Sequence, residues 1–218
     1  MTEKPYADTV VRLPGPYRKN DDLFSRGARL PLPFVHVYVQ PDSEVVYGPA
    51  CKPEQEIRIG ACNADGVVIT SRRGGGGTVI LSPGMVITLV VGHRVKGEGP
   101  RDIFGRIHDA MIRILSVSML QPIEKAGISD LAVNGKKILG SSLYLQQSPS
   151  LYYYQSSLMV DSDPSLIGRY LLYPPKEPEY RQGRNHETFC TTLAREGWTI
   201  SAADVARTFS QQLALLLS

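Results

Sequence analysis

The chain has 218 residues, of which 42% are hydrophobic and 21% are charged, and its formal net charge at pH 7 is +3. This composition supplies enough apolar surface for a sizeable core, and the mildly basic balance fits acidic partners no better than it fits an ordinary solvated surface. Because there is no run of 18 apolar residues and no charged N-terminal region followed by an apolar stretch, we expect a cytoplasmic protein that neither spans a membrane nor is secreted.

The first half of the chain is rich in short runs of β-branched residues bounded by glycine or proline, a pattern typical of strands. In the first of these runs apolar and polar residues nearly alternate, as expected of a strand with one buried face. The runs occupy residues 34–40, 45–47, 67–70, 79–81 and 86–91. Together they predict a sheet built from neighbouring hairpins.

Helices are predicted in the middle and at the end of the chain. Residues 102–119 carry apolar side chains at helical spacing, and Pro122 closes that segment. A short helix is predicted over 166–172. Ser201 and Asp204 are suited to cap a final helix, which we expect to pack on the protein's own sheet. Its apolar face is formed by Val205, Phe209, Leu213 and Leu216.

Strand character returns at residues 143–144 and 152–160, where three consecutive tyrosines, 152–154, are expected on alternate faces of a sheet. Strand runs followed by helices indicate the α+β class. The proline-rich stretch 174–178 is interpreted as a loop, because only about 40 residues follow it and a separate domain is usually larger. We therefore predict one domain over residues 1–218.

The most informative segment places four consecutive glycines, residues 74–77, behind Arg72 and Arg73. Glycine tolerates positive φ and lets the backbone approach a ligand that a Cβ would obstruct. Arginine supplies a planar, permanently charged group for a carboxylate or phosphate. A glycine run after a strand is nevertheless more often a tight turn than a ligand loop, so this segment alone does not decide the function.

A second segment, from Gly135 to Ser142, places Lys136 and Lys137 shortly before a Gly-Ser-Ser sequence. A lysine ammonium can meet phosphate oxygens there while small neighbours leave backbone N–H groups accessible. In isolation the two lysines would be a solvated pair, and only one of them needs a catalytic role. The glycine run is not a Walker loop, since no Gly-Lys-Ser/Thr closes it.

These two segments together resemble the lipoate–protein ligase family, within the larger group of biotin and lipoate protein ligases and octanoyltransferases. Four collinear matches carry the resemblance: the glycine segment, residues 127–142, residues 154–161 and residues 175–193. In the glycine segment the matching residues are Arg72, Arg73, Gly75, Gly76, Gly77, Thr78, Val79 and Gly84.

The chain also departs from the family pattern. Leu81 and Ser82 stand where the family has His-Asp, Met85 stands where it has Asn, and Gln155 stands where it has His. These changes remove polar groups from the expected acyl or acceptor end of the pocket, so they leave the identity of the acyl group open. The lysine and the glycine loop are intact.

The resemblance implies a mixed, mainly antiparallel sheet flanked by helices, as in the catalytic domain of biotin and lipoate protein ligases. It also implies that lipoate or octanoate is activated by ATP and Mg²⁺ to an acyl-AMP, with Lys137 as the catalytic residue. Asp130 would be a turn residue or help to hold Mg²⁺. The residues implied to bind nucleotide and acid are Arg72, Arg73, Gly75, Gly76, Gly77, Thr78, Val79, Ile80, Asp130, Gly140, Ser141 and Ser142.

The implied partner is a lipoyl carrier protein, either a lipoyl domain or a glycine-cleavage H-like protein. We expect no binding to nucleic acid or to a membrane. Known ligases of this kind often carry a small C-terminal accessory domain. We expect that domain to be absent here or to belong to a separate polypeptide.

Two alternatives remain. The first is an ATP-independent octanoyl or lipoyl transferase that forms a cysteine acyl-enzyme. Cys190 lies in the late segment but fits a buried structural thiol better, and Cys51 and Cys62 are weaker candidates. The second is a non-catalytic subunit that binds a lipoylated carrier or an acyl-adenylate, although retention of Lys137 argues against it. The spacing of the cysteines and histidines favours neither disulfides nor a metal site.

Overall fold

The structure, a computed structural model, describes residues 16–116 and 121–218, which form two β-sheets and flanking helices. The strands are β1 (Phe34–Val39), β2 (Glu44–Tyr47), β3 (Val68–Ser71), β4 (Val79–Leu81), β5 (Met85–His93), β6 (Glu124–Ala126), β7 (Asp130–Val133), β8 (Lys136–Gln146) and β9 (Leu151–Met159). The α-helices are α1 (Pro16–Gly27), α2 (Pro53–Glu56), α3 (Ile59–Ala64), α4 (Pro100–Leu115), α5 (Ser165–Tyr170), α6 (His186–Phe189) and α7 (Ala202–Leu217), and a short 3₁₀ helix spans Glu179–Arg181.

The larger sheet has six strands in the order β1-β5-β9-β8-β7-β6, and every neighbouring pair is antiparallel. The smaller sheet has the order β3-β2-β4, with β2 parallel to β3 and antiparallel to β4. The α+β class with a mainly antiparallel sheet is confirmed. The predicted pairing of neighbouring hairpins is wrong, because β1 and β2 lie in different sheets, and so do β4 and β5.

The chain changes sheets at the turn between β4 and β5. Gly84 in this turn has a φ of +83°, and its carbonyl oxygen accepts hydrogen bonds from Val160 N and Asp161 N at 3.1 and 3.2 Å. A Cβ at Gly84 would lie 2.6 Å from Ser162 N. The turn therefore packs directly on the chain that leaves β9, and this long-range contact leaves no local pattern in the sequence.

Strand β9 separates the two halves of the core. Tyr152, Tyr154 and Leu158 face the main core beneath α4 and α7, whereas Tyr153 packs in a separate cluster with Phe24 of α1. The predicted alternation of the tyrosines is confirmed. Because side chains alternate along a strand, Gln155, Ser157 and Met159 share the face of Tyr153, which is the face turned toward the smaller sheet.

Helices α4 and α7 cover the other face of the larger sheet. The apolar side of α4 is buried, and its first turn is closed by the Asp102 carboxylate, which accepts a hydrogen bond from Gly99 N at 2.9 Å. Ser201 Oγ caps α7 by accepting from Asp204 N, and α7 packs on β1, β5 and α4, as predicted. The predicted residues 117–119 of the first helix lie outside the described residues. None of the helices described is both long and apolar enough to cross a bilayer.

Several elements are absent from the sequence predictions. Helices α1, α2 and α3 are missed because α1 is mostly polar and the other two are only one or two turns long. The short strands β6 and β7 are also missed. Strand β8 is far longer than predicted, because its Gly-Ser-Ser sequence has a loop-like composition but is paired with β7 on one side and β9 on the other.

Gly92→Ala should destabilise the protein by about 1–3 kcal/mol through overpacking. Gly92 lies opposite Tyr152 in the sheet, and a Cβ there would lie 2.4 Å from the Tyr152 hydroxyl oxygen and 2.5 Å from its Cζ. The free energy of unfolding can be measured by urea denaturation.

Gly105→Ala is the matched control. Gly105 lies inside α4, and no described atom other than those of its chain neighbours and its own helix backbone lies within 4 Å of the position of its Cβ. Alanine should therefore stabilise the helix by up to about 1 kcal/mol. Equal changes in the free energy of unfolding for Gly92→Ala and Gly105→Ala would contradict the packing described for β5.

Candidate functional site

A cavity of about 670 Å³ lies between the two sheets. Its walls come from the glycine-rich loop after β3, from β4, β8 and β9, from α5 and from the segment 171–190. Of the site residues expected from the sequence, Arg73 and Gly75 do not line this cavity in the described part of the chain, and Arg73 instead points toward Asp21, 3.9 Å away. The expected residues that do line it are Arg72, Gly76, Gly77, Thr78, Val79, Ile80, Asp130, Lys137, Gly140, Ser141 and Ser142.

Arg72 holds the glycine loop in place. Its side chain is buried, and its guanidinium donates to Val46 O at 3.2 Å from Nη1 and to Gly75 O and Gly77 O at 3.0 and 2.7 Å from Nη2. Gly76 between these acceptors has a φ of +97°. Two of these three hydrogen bonds go to carbonyl groups of the glycine loop, so the main role of Arg72 is to fix the shape of the loop that lines the cavity.

Glu56 is a second anchor of the loop, which sequence reasoning missed. Its Oε2 accepts hydrogen bonds from Thr78 Oγ1 at 2.7 Å and Thr78 N at 3.3 Å, and its Oε1 accepts from Lys52 N at 3.1 Å. Burial opposes ionisation of Glu56, but these hydrogen bonds outweigh it and lower the pKa of the carboxyl. Glu56 ends a helix of only four residues, and no motif or periodicity in the sequence marks it as a contact of the glycine loop.

Lys137 and Asp130 form an ion pair at the cavity wall, with 2.8 Å between Nζ and Oδ1. The pair joins β8 to the first residue of β7, beside a bulge in the pairing of those strands. A Cβ at Gly140 would lie 2.9 Å from the Lys137 Nζ, so glycine at this position leaves the space that the ammonium occupies. The Lys137 side chain remains 23% exposed and can meet a ligand in the cavity.

Tyr180 holds the other oxygen of Asp130. Its hydroxyl donates to Asp130 Oδ2 at 2.8 Å. Burial, and then the negative charge of Asp130, raise the pKa of Tyr180, so the phenol keeps the proton that it donates. The aspartate is therefore fixed from both sides, and it orients Lys137. The sequence placed Tyr180 in a matching segment but gave no sign of this contact.

His108 lies behind the cavity wall and supports Ser141. The Ser141 hydroxyl donates to Ser129 O at 2.6 Å and therefore accepts from His108 Nε2 at 3.2 Å. This pattern assigns the proton of the neutral imidazole to Nε2. Burial lowers the pKa of His108 to about 4, so the ring is neutral at physiological pH.

Cys190 lines the cavity beside Lys137 but carries a protonated thiol. It forms an isolated parallel bridge with Lys137, and Thr191 N donates to Lys137 O at 2.9 Å. Burial raises the pKa of Cys190 in spite of the opposing charge of Lys137. A nucleophilic cysteine needs a thiolate, so this environment suits a structural residue.

The segment 173–190 closes one side of the cavity and contains a buried arginine. The Arg181 guanidinium lies over the rings of Tyr173 and Phe189, 4.8 Å from each centroid, and Nε donates to Arg184 O at 2.8 Å. Arg181 also lines the cavity, together with Lys176 and Arg101. The cavity lining therefore includes cationic groups of the kind that an anionic ligand needs.

Comparison with known proteins connects this site to one family. Residues 22–214 match the family model described as Lipoyl protein ligase A/B catalytic domain. No curated protein sequence matches that of this chain.

Solved structures share the fold at low sequence identity. A bi-partite lipoate protein ligase from Thermoplasma acidophilum, described together with its E2 lipoyl domain, is 17% identical, with a TM-score of 0.77 over 95% of this chain and 82% of that chain. A T. acidophilum protein with bound lipoic acid is 16% identical, with a TM-score of 0.75 over 95% and 83% of the two chains. A lipoate-protein ligase A bound with ATP is 18% identical, with a TM-score of 0.72 over 91% and 78%.

Lowering the pH from about 6.5 to about 4 should destabilise the protein through His108. In this range the unfolded state binds a proton that the folded state, with its pKa of about 4, does not. The free energy of unfolding therefore falls as the pH falls, by at most about 1.4 kcal/mol per pH unit from this group. His108→Gln should show a shallower pH dependence in urea denaturation, and identical slopes for the two proteins would contradict the buried neutral state.

Proposed function

The chain belongs to the lipoyl protein ligase A/B catalytic domain family, and we propose that it is an ATP-dependent lipoate–protein ligase. It would activate lipoate or octanoate to an acyl-AMP and transfer the acyl group to a lysine of a lipoyl carrier protein. The observation that carries this proposal is the Lys137 ammonium, held at the cavity wall by Asp130. The glycine loop that lines the same cavity supports it further.

In the first step, a carboxylate oxygen of the acid attacks the α-phosphorus of ATP. A new P–O bond forms, the bond from the α-phosphorus to the bridging oxygen breaks, and pyrophosphate leaves. Negative charge builds up on the phosphoryl oxygens, and a fixed ammonium beside them stabilises that transition state. Lys137 is suited to this role, because the ion pair with Asp130 fixes its ammonium and Gly140 leaves the space that the ammonium occupies.

In the second step, the neutral ε-amine of a carrier lysine attacks the carbonyl carbon of the acyl-AMP. The C–N bond forms, the C–O bond to the phosphate breaks, AMP leaves and the amine proton passes to solvent. Lys137 and nearby backbone N–H groups would polarise the carbonyl. The T. acidophilum ligase was described with its E2 lipoyl domain, which supports a lipoyl domain as acceptor here.

Magnesium would enter with ATP. Among the described residues no group of three or more His, Cys, Asp or Glu could hold a metal ion. Mg²⁺ bound to a nucleotide needs only one or two carboxylates besides phosphate oxygens and water. Asp130, on the cavity wall, would hold it through lone pairs that its contacts with Lys137 and Tyr180 leave available, since an ionised carboxylate offers about four acceptor sites. When bound, the ion would neutralise charge on the phosphates.

The two alternative functions have less support. A cysteine transferase requires a thiolate, and the pKa of Cys190 is raised by burial. A non-catalytic subunit would have no need for an ammonium held beside the cavity. That the accessory domain is absent or belongs to a separate polypeptide remains a prediction. Measuring ligase activity with and without a second polypeptide that carries such a domain tests it.

Lys137→Ala should lower lipoate-dependent pyrophosphate release from Mg-ATP by about 100-fold or more, because it removes the charge that stabilises the phosphoryl transition state. The matched control is Lys136→Ala, which removes the neighbouring lysine, 3.7 Å from Glu196. That variant should retain activity. Full activity of Lys137→Ala, or loss in both variants with an intact fold, would contradict the assignment.

Gly140→Ala should reduce the same activity by about 10- to 100-fold without unfolding the protein, because its Cβ displaces the flexible end of Lys137. Gly168→Ala in α5 is the control, since no described atom other than those of its chain neighbours and its own helix backbone lies within 4 Å of its Cβ position. Pyrophosphate release and thermal unfolding are measured on both. An active Gly140→Ala enzyme would show that the exact place of the ammonium does not matter.

A further inference from the structure

Helix α1 is fixed on the face of β9 that is turned toward the smaller sheet. Phe24 of α1 is buried, and its ring centroid lies 5.1 Å from that of Tyr153 and 5.7 Å from that of Tyr144. The Tyr153 hydroxyl donates to Asn20 O at 2.5 Å, and Asn20 Nδ2 donates to the Tyr38 hydroxyl at 2.7 Å. These contacts hold a mostly polar helix at a defined place on the sheet.

Asp21, the next residue of α1, brings a carboxylate to the start of the glycine loop. Its Oδ2 lies 3.9 Å from Nε of Arg73, and the backbone N–H of Arg73 also donates to the carboxylate. The side-chain amide of Gln155, which lines the cavity from β9, is a third partner. One carboxylate therefore joins α1 to both the glycine loop and the cavity wall.

The carboxylate of Asp21 does not stabilise the fold. Burial raises its pKa and outweighs the opposing charge of Arg73 and the hydrogen bond from Gln155. The folded protein therefore binds the proton more readily than the unfolded chain, and stability falls as the pH rises through the titration of this group. Above that range the ionised carboxylate costs folding free energy. Its contacts are then explained by what they position.

The beginning of the glycine loop needs such a contact. Gly74 packs closely on β8, because a Cβ there would lie 2.6 Å from Ser142 Oγ, and the Gly75 N–H donates to Leu143 O over a long 3.4 Å. The buried arginine and glutamate described above hold later residues of the loop. Arg73 directly precedes the first glycine, so its contact with α1 fixes the point at which the loop leaves β3.

We propose that Asp21 is a positioning residue, which holds the beginning of the glycine loop through Arg73 and sets its place against Gln155 on the cavity wall. This inference rests on the proposed function, in which the loop meets a ligand. It also gives Arg73 a role that differs from the one implied by the resemblance. Arg73 lies outside the lining of the cavity and anchors the loop instead of binding nucleotide or acid.

Loss of this contact should change binding and leave the chemical step intact. A loop that spends only part of its time in the binding form lowers the apparent affinity by that fraction, and saturating ligand restores the form. Asp21→Asn should therefore raise the KM for Mg-ATP, for lipoate or for both by about 10-fold in pyrophosphate release, because hydrogen bonds to a charged group are lost. The kcat should stay within about 2-fold. Thermal unfolding at neutral pH should not occur at a lower temperature, because the substitution removes a buried charge.

Two further variants identify the cause. Asp22→Asn makes the same chemical change at the neighbouring, exposed position of α1 and should leave KM and kcat unchanged. Arg73→Ala removes the other partner and should raise the same KM as Asp21→Asn. The double variant should be no worse than either single variant, because both break one contact.

Three results in these assays would overturn the proposal. They are an unchanged KM in Asp21→Asn, a loss that falls on kcat, and effects of Asp21→Asn and Arg73→Ala that multiply in the double variant. A clearly lower unfolding temperature of Asp21→Asn would assign the residue to the stability of the fold and would overturn the proposal as well.

Limited proteolysis with trypsin follows the loop without reference to catalysis, since trypsin cleaves after arginine and the Arg73 side chain is half exposed. We expect cleavage between Arg73 and Gly74 to be about 10-fold faster in Asp21→Asn than in Asp22→Asn, because proteolysis tracks the population of the open form. Equal cleavage rates would overturn the positioning role, and pyrophosphate release by the unmodified protein would then still support the ligase. Faster cleavage in Asp21→Asn without pyrophosphate release from any variant would support the anchoring of the loop and overturn the proposed function.

Discussion

The ion pair between Lys137 and Asp130 is the interaction around which the site is built. It joins two neighbouring strands at 2.8 Å, and each partner is fixed by other parts of the fold. Asp130 is also held by the Tyr180 hydroxyl, and the Lys137 ammonium occupies space left by Gly140. Because an exposed lysine alone loses much conformational entropy when it is ordered, this support lets a ligand meet an ammonium whose position is already set.

The glycine loop is organised by a different charge. Arg72 donates to the loop carbonyls at Gly75 and Gly77, and Glu56 accepts from the backbone and hydroxyl of Thr78 at its other end. A run of glycines has high conformational entropy in the unfolded chain. Ordering the loop therefore loses much conformational entropy. The hydrogen bonds of Arg72 and Glu56, which are both buried, offset this loss, and the rest of the loop backbone lies at the cavity wall.

Three of the four departures from the family pattern fall on the walls of the same cavity. Leu81, Met85 and Gln155 line it, and Ser82 is fully buried, with no partner for its hydroxyl among the described residues. Apolar Leu81 and Met85 have little capacity to orient a polar ligand. Gln155 differs from them, because its amide offers both a donor and an acceptor.

The sequence by itself determined the elements with strong periodicity and the residues with unusual local composition. The apolar spacing of α4 and α7 and the alternation of the tyrosines in β9 were predicted correctly, whereas the ligand-binding roles of the glycine loop and of Lys137 stay predictions. Local patterns carry this information because side-chain period and backbone freedom are properties of the segment itself. The tertiary structure decided the pairing of strands. It placed β4 and β5 in different sheets, and it made a continuous strand of the Gly-Ser-Ser sequence, whose composition alone is typical of a loop.

Only the tertiary structure decided the partners of each charged or polar group. Arg72 shapes the loop, Tyr180 fixes Asp130, and Glu56 holds Thr78 because segments far apart in the chain meet at one cavity. Hydrogen bonding and burial depend on which atoms come within a few ångströms, and that is a property of the packed sheets.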